Sequence, residues 1–187
     1  MNKFSIKALG IIAIAWVIDF LTKWAAVTNL SNFEAVNVLG ESLRFRLVYN
    51  TGGVFGIFQG NPMIFHILTG VAIVFLLVYF LKTPQQDKYF TNAIIFVLGG
   101  AIGNFTDRFF RPGVVDFIDM GIGAVRWPTY NVADMFISLG GLLLIISFYH
   151  SEKKIKKKIM IVKNLSLFFG DLNFFFSEIY MLYLILI

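Results

Sequence analysis

Apolar residues along this chain come in long runs that Asp, Glu, Lys and Arg rarely interrupt. Residues 47–81, between Arg46 and Lys82, carry no Asp, Glu, Lys or Arg, and neither do residues 89–106, between Lys88 and Asp107. A helix that crosses a bilayer needs about 20 residues of this kind. Four spans are therefore predicted, at roughly residues 8–27, 62–81, 89–105 and 131–149. The first contains Asp19 and Lys23 and is followed by no small-x-small site, so it reads as a retained span, not a cleavable signal peptide.

A different periodicity marks the segments between the first and second spans and between the third and fourth. In residues 42–50 (SLRFRLVYN), Arg44 and Arg46 alternate with Leu43, Phe45 and Leu47, the period-two pattern of a half-buried strand. Gly52-Gly53 then predicts a turn, and residues 54–58 a second apolar run. Residues 106–130 gather Asp107, Arg108, Arg111, Asp116, Asp119 and Arg126 among Gly and Pro breaks, and residues 113–118 (GVVDFI) again predict a strand. The expected architecture is a membrane α-helical, four-transmembrane-helix bundle carrying a small extracytoplasmic cradle of β-strands. Residues 1–150 would form the body, and 151–187 a basic segment with an apolar tail.

Composition agrees with a membrane chain. Of 187 residues, 58% are hydrophobic and 14% charged, and the mean hydropathy is +0.77. A soluble domain of this length needs a more polar exterior. Charge then orients the bundle. Lys3, Lys7, Lys82, Lys88, Lys153, Lys154, Lys156, Lys157, Lys158 and Lys163 fall on one side, and Arg44, Arg46, Arg108, Arg111 and Arg126 on the other. The excess places both termini in the cytoplasm. Because the lysines flank spans, anionic lipid accounts for them and nucleic acid is not an expected partner.

Polar groups within or beside spans are the candidates for function. Asp19 and Lys23, spaced i, i+4, share a helix face and read as a structural ion pair. Asn104 and Arg108 repeat that spacing; Arg108 either braces a carboxylate, holds a lipid phosphate or snorkels to the headgroups. Asn50 is either turn chemistry or something more. Asn131 and Asp134, spaced i, i+3, match a helix N-cap followed by a first-turn acid. Cysteine is absent, which excludes thiol catalysis. His66 and His150 fall near opposite membrane faces, which argues against a histidine metal site. Pairing of His66 with Ser138 is weaker than packing or bonding within their helices.

Chemistry then falls to carboxylates. Asp116 and Asp134 both lie toward the outer boundary with 17 residues between them. Two carboxylates within one shared hydrogen bond hold a single proton between them. The ionised member takes a proton from water, and the protonated member polarises a peptide carbonyl. Asp107 reads as a helix-end partner for arginine, and Asp119 as a solvated loop acid.

The ordered set Asp19-x-x-x-Lys23, Asn50-Thr51-Gly52, Gly99-Gly100-x-x-Gly103-Asn104-x-x-Asp107-Arg108, Val114-Val115-Asp116-Phe117 and Asn131-x-Ala133-Asp134 resembles the lipoprotein signal peptidases, also called signal peptidase II. The resemblance covers roughly residues 5–150. It implies catalytic aspartates at Asp116 and Asp134. Support or substrate contact is implied at Asp19, Lys23, Asn50, Asn104, Arg108 and Asn131, with Gly52 and Ala133 carried by the same motifs. It further implies a monomeric enzyme of the bacterial cytoplasmic (inner) membrane, needing no metal or cofactor, with its active site near the extracytoplasmic face. Its substrates would be prolipoproteins cut just before a diacylglyceryl-modified cysteine, and globomycin-type cyclic peptides would inhibit it.

Two features depart from the family pattern. Met135 follows Asp134 where the family has a small or hydroxylated residue, and it is expected to face away from the catalytic water. Residues 164–187 extend beyond the usual end and read first as an interfacial helix, with a partial fifth span or a segment without function as the alternatives. A rival reading from another class is a small transporter or proton relay using Asp19, Lys23, Arg108 and Asp134. A relay distributes ionisable groups through the membrane depth, whereas the inner halves of spans two to four carry none.

Overall fold

The computed structural model describes residues 3–31, 34–51, 62–82 and 87–169. Gly52, the expected turn at 52–53, the apolar run at 54–58 and residues 170–187 of the tail lie outside them. Among these residues four helices and four strands occur in the order α1 (Lys3–Asn29), β1 (Val36–Leu39), β2 (Leu43–Asn50), α2 (Pro62–Lys82), α3 (Lys88–Phe110), β3 (Val114–Ile122), β4 (Val125–Arg126) and α4 (Val132–Phe169). Two compact units divide the chain, Met1–Leu144 and Ile145–Ile187.

Among the described residues three helices contain segments long and apolar enough to cross a membrane: Ile6–Asn29, Lys88–Phe110 and Val132–Asn164. Helix α2 adds a shorter apolar segment, His66–Lys82. Their outer faces leave large apolar side chains uncovered, among them Ile14, Trp24, Val71, Phe75 and Leu142. Water would penalise such faces, while hydrocarbon does not.

Within the first unit, α3 is the helix around which the others pack, and its sequence allows it. On α1, Ala8, Ile12, Ala15, Asp19, Lys23 and Ala26 are buried, a stripe spaced by threes and fours. That stripe meets the glycines of α3: a Cβ on Gly99 would stand 2.7 Å from the Ala15 Cβ. A Cβ on Gly140 of α4 would likewise stand 2.6 Å from Val97 Cγ2. Small residues let backbones approach where lipid supplies no hydrophobic drive between helices. Ala8, Ile12, Ile73, Ile94, Ile95 and Leu98 form the buried apolar cluster beside them.

The strands form an antiparallel sheet in the order β1-β2-β3-β4. Its register sets Arg44 opposite Asp119, Val48 opposite Asp116 and Asn50 opposite Val114, with an irregularity between Phe45 and Val48. A second apolar cluster of Ala26, Leu47, Val115 and Phe117 joins the sheet to α1. Gly123, at φ 54°, closes the two-residue turn from β3 to β4. The alternation in β2 and the GVVDFI segment of β3 form strands as expected, and β1 and β4 extend the sheet on either side.

Asp119 requires a correction. It is not solvated but 3% exposed. Arg44 bonds its Oδ2 at 2.6 Å, and Arg126 bonds its Oδ1 at 2.9 Å. Arg126 also donates to the Glu41 carbonyl at 2.6 Å. One carboxylate thus pins three strands and the β1–β2 turn. Burial acts to raise its pKa, but the two guanidinium groups outweigh that and hold it below the ordinary carboxylate value.

Helix α4 also runs on past the expected end near Tyr149, through the lysine-rich stretch to Phe169. That stretch contains neither Gly nor Pro and is built of good helix formers. In the second unit its surface is exposed, with Ile155 and Ile159 interleaved among the lysines. Glu152 and Lys156 stand 3.5 Å apart.

Candidate active site

Asp116 comes from β3 and Asp134 from the first turn of α4, and both line a cavity of about 1250 Å³. Asn50, Asn104 and Arg108 line the same cavity, along with the apolar Val114, Ile122, Val125 and Trp127. Asn131 lies between the two carboxylates. Its Nδ2 donates to Asp116 Oδ1 at 2.6 Å, its backbone N–H to Asp134 Oδ2 at 3.1 Å, and its Oδ1 accepts the Asp134 N–H at 3.0 Å. The N-cap reading of Asn131 therefore holds, and the same side chain also bonds Asp116.

The remaining carboxylate oxygens are held as well. Asn50 Nδ2 donates to Asp116 Oδ2 at 2.9 Å, and Asn104 Nδ2 to Asp134 Oδ1 at 2.8 Å. Each of the four oxygens thus accepts an amide hydrogen, which fixes both carboxylate planes. Asp116 is 2% exposed. Burial and the negative charge of Asp134 push its pKa up to about 7, against the lowering effect of Asn50, Asn131 and Lys23.

Behind this layer Lys23, fully buried, makes three contacts. Its Nζ stands 2.8 Å from Asp19 Oδ2, 3.0 Å from Asp107 Oδ2 and 2.8 Å from Asn104 Oδ1. Asp19 Oδ1 accepts the Ala133 N–H at 2.8 Å, and Asp107 Oδ2 accepts the Val115 N–H at 3.0 Å. Asp107 Oδ1 also pairs with Arg111 at 2.7 Å. Asp107 is thus the expected arginine partner, and it meets Lys23 too, a contact that no local spacing in the sequence announces. Among the described residues no buried side-chain nitrogen or oxygen lacks a hydrogen-bond partner.

Other expected residues fall as follows. Ala133 is fully buried against Gly100 and Gly103 of α3. Arg108 donates to the Asn104 carbonyl at 3.1 Å. His66 bonds the Arg108 carbonyl of α3 at 2.7 Å and packs edge-on against Phe109, so both contacts reach another helix. Met135 lines the cavity and is 52% exposed, so it does not turn away from the site.

The family model described as signal peptidase (SPase) II matches residues 11–150. A lipoprotein signal peptidase of Halalkalibacterium halodurans is 36% identical over 142 residues, which are 76% of this chain and 91% of that protein. One from Bacillus pumilus is 37% identical over 140 residues, 75% of this chain and 90% of that protein. A solved bacterial membrane enzyme superposes with a TM-score of 0.73 at 29% identity, covering 79% of this chain and 90% of its own. A second reaches 0.68 at 30% identity, covering 76% and 92%. The chain belongs to the signal peptidase II family and is a multi-pass membrane peptidase.

Proposed function

We propose that the protein is an aspartic endopeptidase that removes the signal peptide from diacylglyceryl-modified prolipoproteins, cutting just before the lipidated cysteine. The observation that carries this reading is the bridge made by Asn131 between Asp116 and Asp134 at the wall of one cavity. The pair holds one proton, which burial and the neighbouring charge keep on Asp116 up to about pH 7. Ionised Asp134 takes a proton from water as the water oxygen attacks the scissile carbonyl carbon. Protonated Asp116 donates its hydrogen bond to the carbonyl oxygen. The tetrahedral intermediate then collapses, the C–N bond breaks, and the acid returns a proton to the cysteine nitrogen. Because the amides of Asn50, Asn104 and Asn131 already hold the carboxylates, little reorganisation accompanies these steps.

The apolar cavity wall suits acyl chains, and Arg108 suits the polar backbone of the bound segment. On this reading α2 is the fourth span, both termini are cytoplasmic, and the sheet sits at the outer face of the bacterial inner membrane. The enzyme works as a monomer among membrane lipids without a cofactor, and globomycin-type peptides occupy the same cavity. Purified protein should cleave diacylglyceryl-modified prolipoprotein, and Asp116→Asn or Asp134→Asn should lower kcat by at least about 10³-fold. Cleavage by either variant at the wild-type rate would refute the dyad, and equal cleavage of unmodified precursor would refute the lipid requirement.

A further inference from the structure

We propose that Lys23 is a positioning residue whose ammonium sets the separation and facing of Asp116 and Asp134 without touching substrate. The inference rests on the dyad reading above and assigns work to a buried cation that this reading leaves unused.

The geometry is two-armed. The residue ahead of Asp134 is Ala133, whose N–H is held by Asp19, and the residue ahead of Asp116 is Val115, whose N–H is held by Asp107. Lys23 binds the carboxylates of both Asp19 and Asp107. The backbone leading into each aspartate is therefore tied, through one carboxylate, to the same nitrogen. Without that cation the two acids would repel one another, and the ends of β3 and α4 would lose their common anchor.

A third contact reaches the pair directly. The two ends of an asparagine amide have nearly the same shape, so only its partners decide which way it faces. Lys23 draws Asn104 Oδ1 toward itself at 2.8 Å, which turns Asn104 Nδ2 to Asp134. The same oxygen accepts one Nδ2 hydrogen of Asn131, whose other hydrogen reaches Asp116. A turned Asn104 would set its amino group against Lys23 and Asn131, and its oxygen against the Asp134 carboxylate. Lys23 is 0% exposed and is not among the residues that line the cavity, so its influence must travel through these three neighbours.

The test is steady-state cleavage of diacylglyceryl-modified prolipoprotein by the full-length protein, with thermal unfolding measured on each variant. Lys23→Gln should lower kcat on the order of tenfold to a hundredfold, the scale of a lost charge-assisted hydrogen bond. KM should change less than about twofold, because uniform binding is untouched. In an Asn104→Ala background, adding Lys23→Gln should cost much less than it does alone, since part of its effect is routed through that amide. Leu98→Ala, in the apolar cluster away from the pair, serves as a control for loss of stability. At a temperature below both transitions it should retain its kcat. If Lys23→Gln does not fold, the neutral pair Asp19→Asn/Lys23→Met, which leaves Asp107 with Arg111, should show the same split. Wild-type kcat in a folded Lys23 variant, or an equal kcat loss in Leu98→Ala, would overturn the inference. Asp116→Asn and Asp134→Asn run alongside: if they remain active the dyad reading fails, and if they are inactive while Lys23→Gln is not, only the role of Lys23 fails.

Discussion

Replacement of Asn50 by alanine removes one identifiable hydrogen bond from the proposed acid and leaves the helices untouched. Asn50 ends β2, and its Nδ2 donates to Asp116 Oδ2 at 2.9 Å. The other oxygen keeps the shorter bond from Asn131 at 2.6 Å. An amide donor stabilises the ionised carboxylate, so its loss favours the protonated form and raises the pKa of Asp116. A hydrogen bond to a charged group contributes about 1.5–3 kcal/mol, and one pKa unit corresponds to about 1.4 kcal/mol. Asn50 faces an open cavity in which water replaces part of the lost interaction, so the lower end applies and the shift is about one unit.

The assay is kcat/KM on lipidated prolipoprotein across a pH series, which reports the free enzyme. Hydrolysis needs one shared proton, so the wild-type rate should fall as pH rises through about 7, where Asp116 loses it. In Asn50→Ala that limb should move up to about pH 8 while the maximal rate declines. A limb that stays in place or moves to lower pH would refute the assignment of the proton to Asp116, even if Asp116→Asn were inactive.

Three further outcomes follow from the same geometry. Because folding raises the Asp116 pKa from 3.8 to about 7, its contribution to stability is complete below pH 3.8 and is lost as pH rises through about 7. Asp116→Asn should therefore gain stability over wild type across that window, by on the order of a few kcal/mol, in thermal unfolding at stepped pH. Gly103→Ala sets a Cβ against Asp19 Oδ2 and 3.1 Å from its Cγ; it should cost about 1–3 kcal/mol in unfolding and lower kcat by displacing the carboxylate that holds Ala133. Asp119→Ala leaves Arg44 and Arg126 without their shared partner. It should cost about 3 kcal/mol in unfolding and raise KM more than it lowers kcat, because the β3–β4 hairpin lines the cavity.

Much of the fold is legible in the sequence because hydropathy reports the solvent of each face directly. Three of the expected spans, roughly residues 8–27, 89–105 and 131–149, coincide with helices long and apolar enough to cross a membrane, and β2 follows from the alternation around Arg44 and Arg46. Asp19 with Lys23 and Asn131 with Asp134 are legible because each pair is local, three or four residues apart on one helix. What spacing cannot express is contact between elements. Asp119 looks like a loop acid until the β2–β3 register sets Arg44 opposite it and the return of β4 adds Arg126. Asp107 meets Lys23 across 84 positions, a pairing set by the close approach of α1 to α3 at Gly99 and Gly103. The glycines were visible as a motif, but their purpose is steric and appears only once Ala15 and Asp19 stand against them. The course of α4 past Tyr149 is hidden for another reason: lysine ends a span without ending a helix.

The charges around the pair supply an argument for its proton that does not depend on either aspartate alone. Asp19, Asp107 and one ionised member of the pair carry three negative charges, and Lys23, Arg108 and Arg111 carry three positive ones. With a single proton on the pair these charges sum to zero; with none they sum to one negative charge. In surroundings of apolar helices an unbalanced charge is far more costly than a balanced set. The cluster therefore favours a singly protonated pair, the state that the proposed mechanism requires. The same accounting explains why Lys23 would bear on chemistry it does not touch. Removing its charge shifts the neutral point toward two protons, which would leave no ionised carboxylate to activate water.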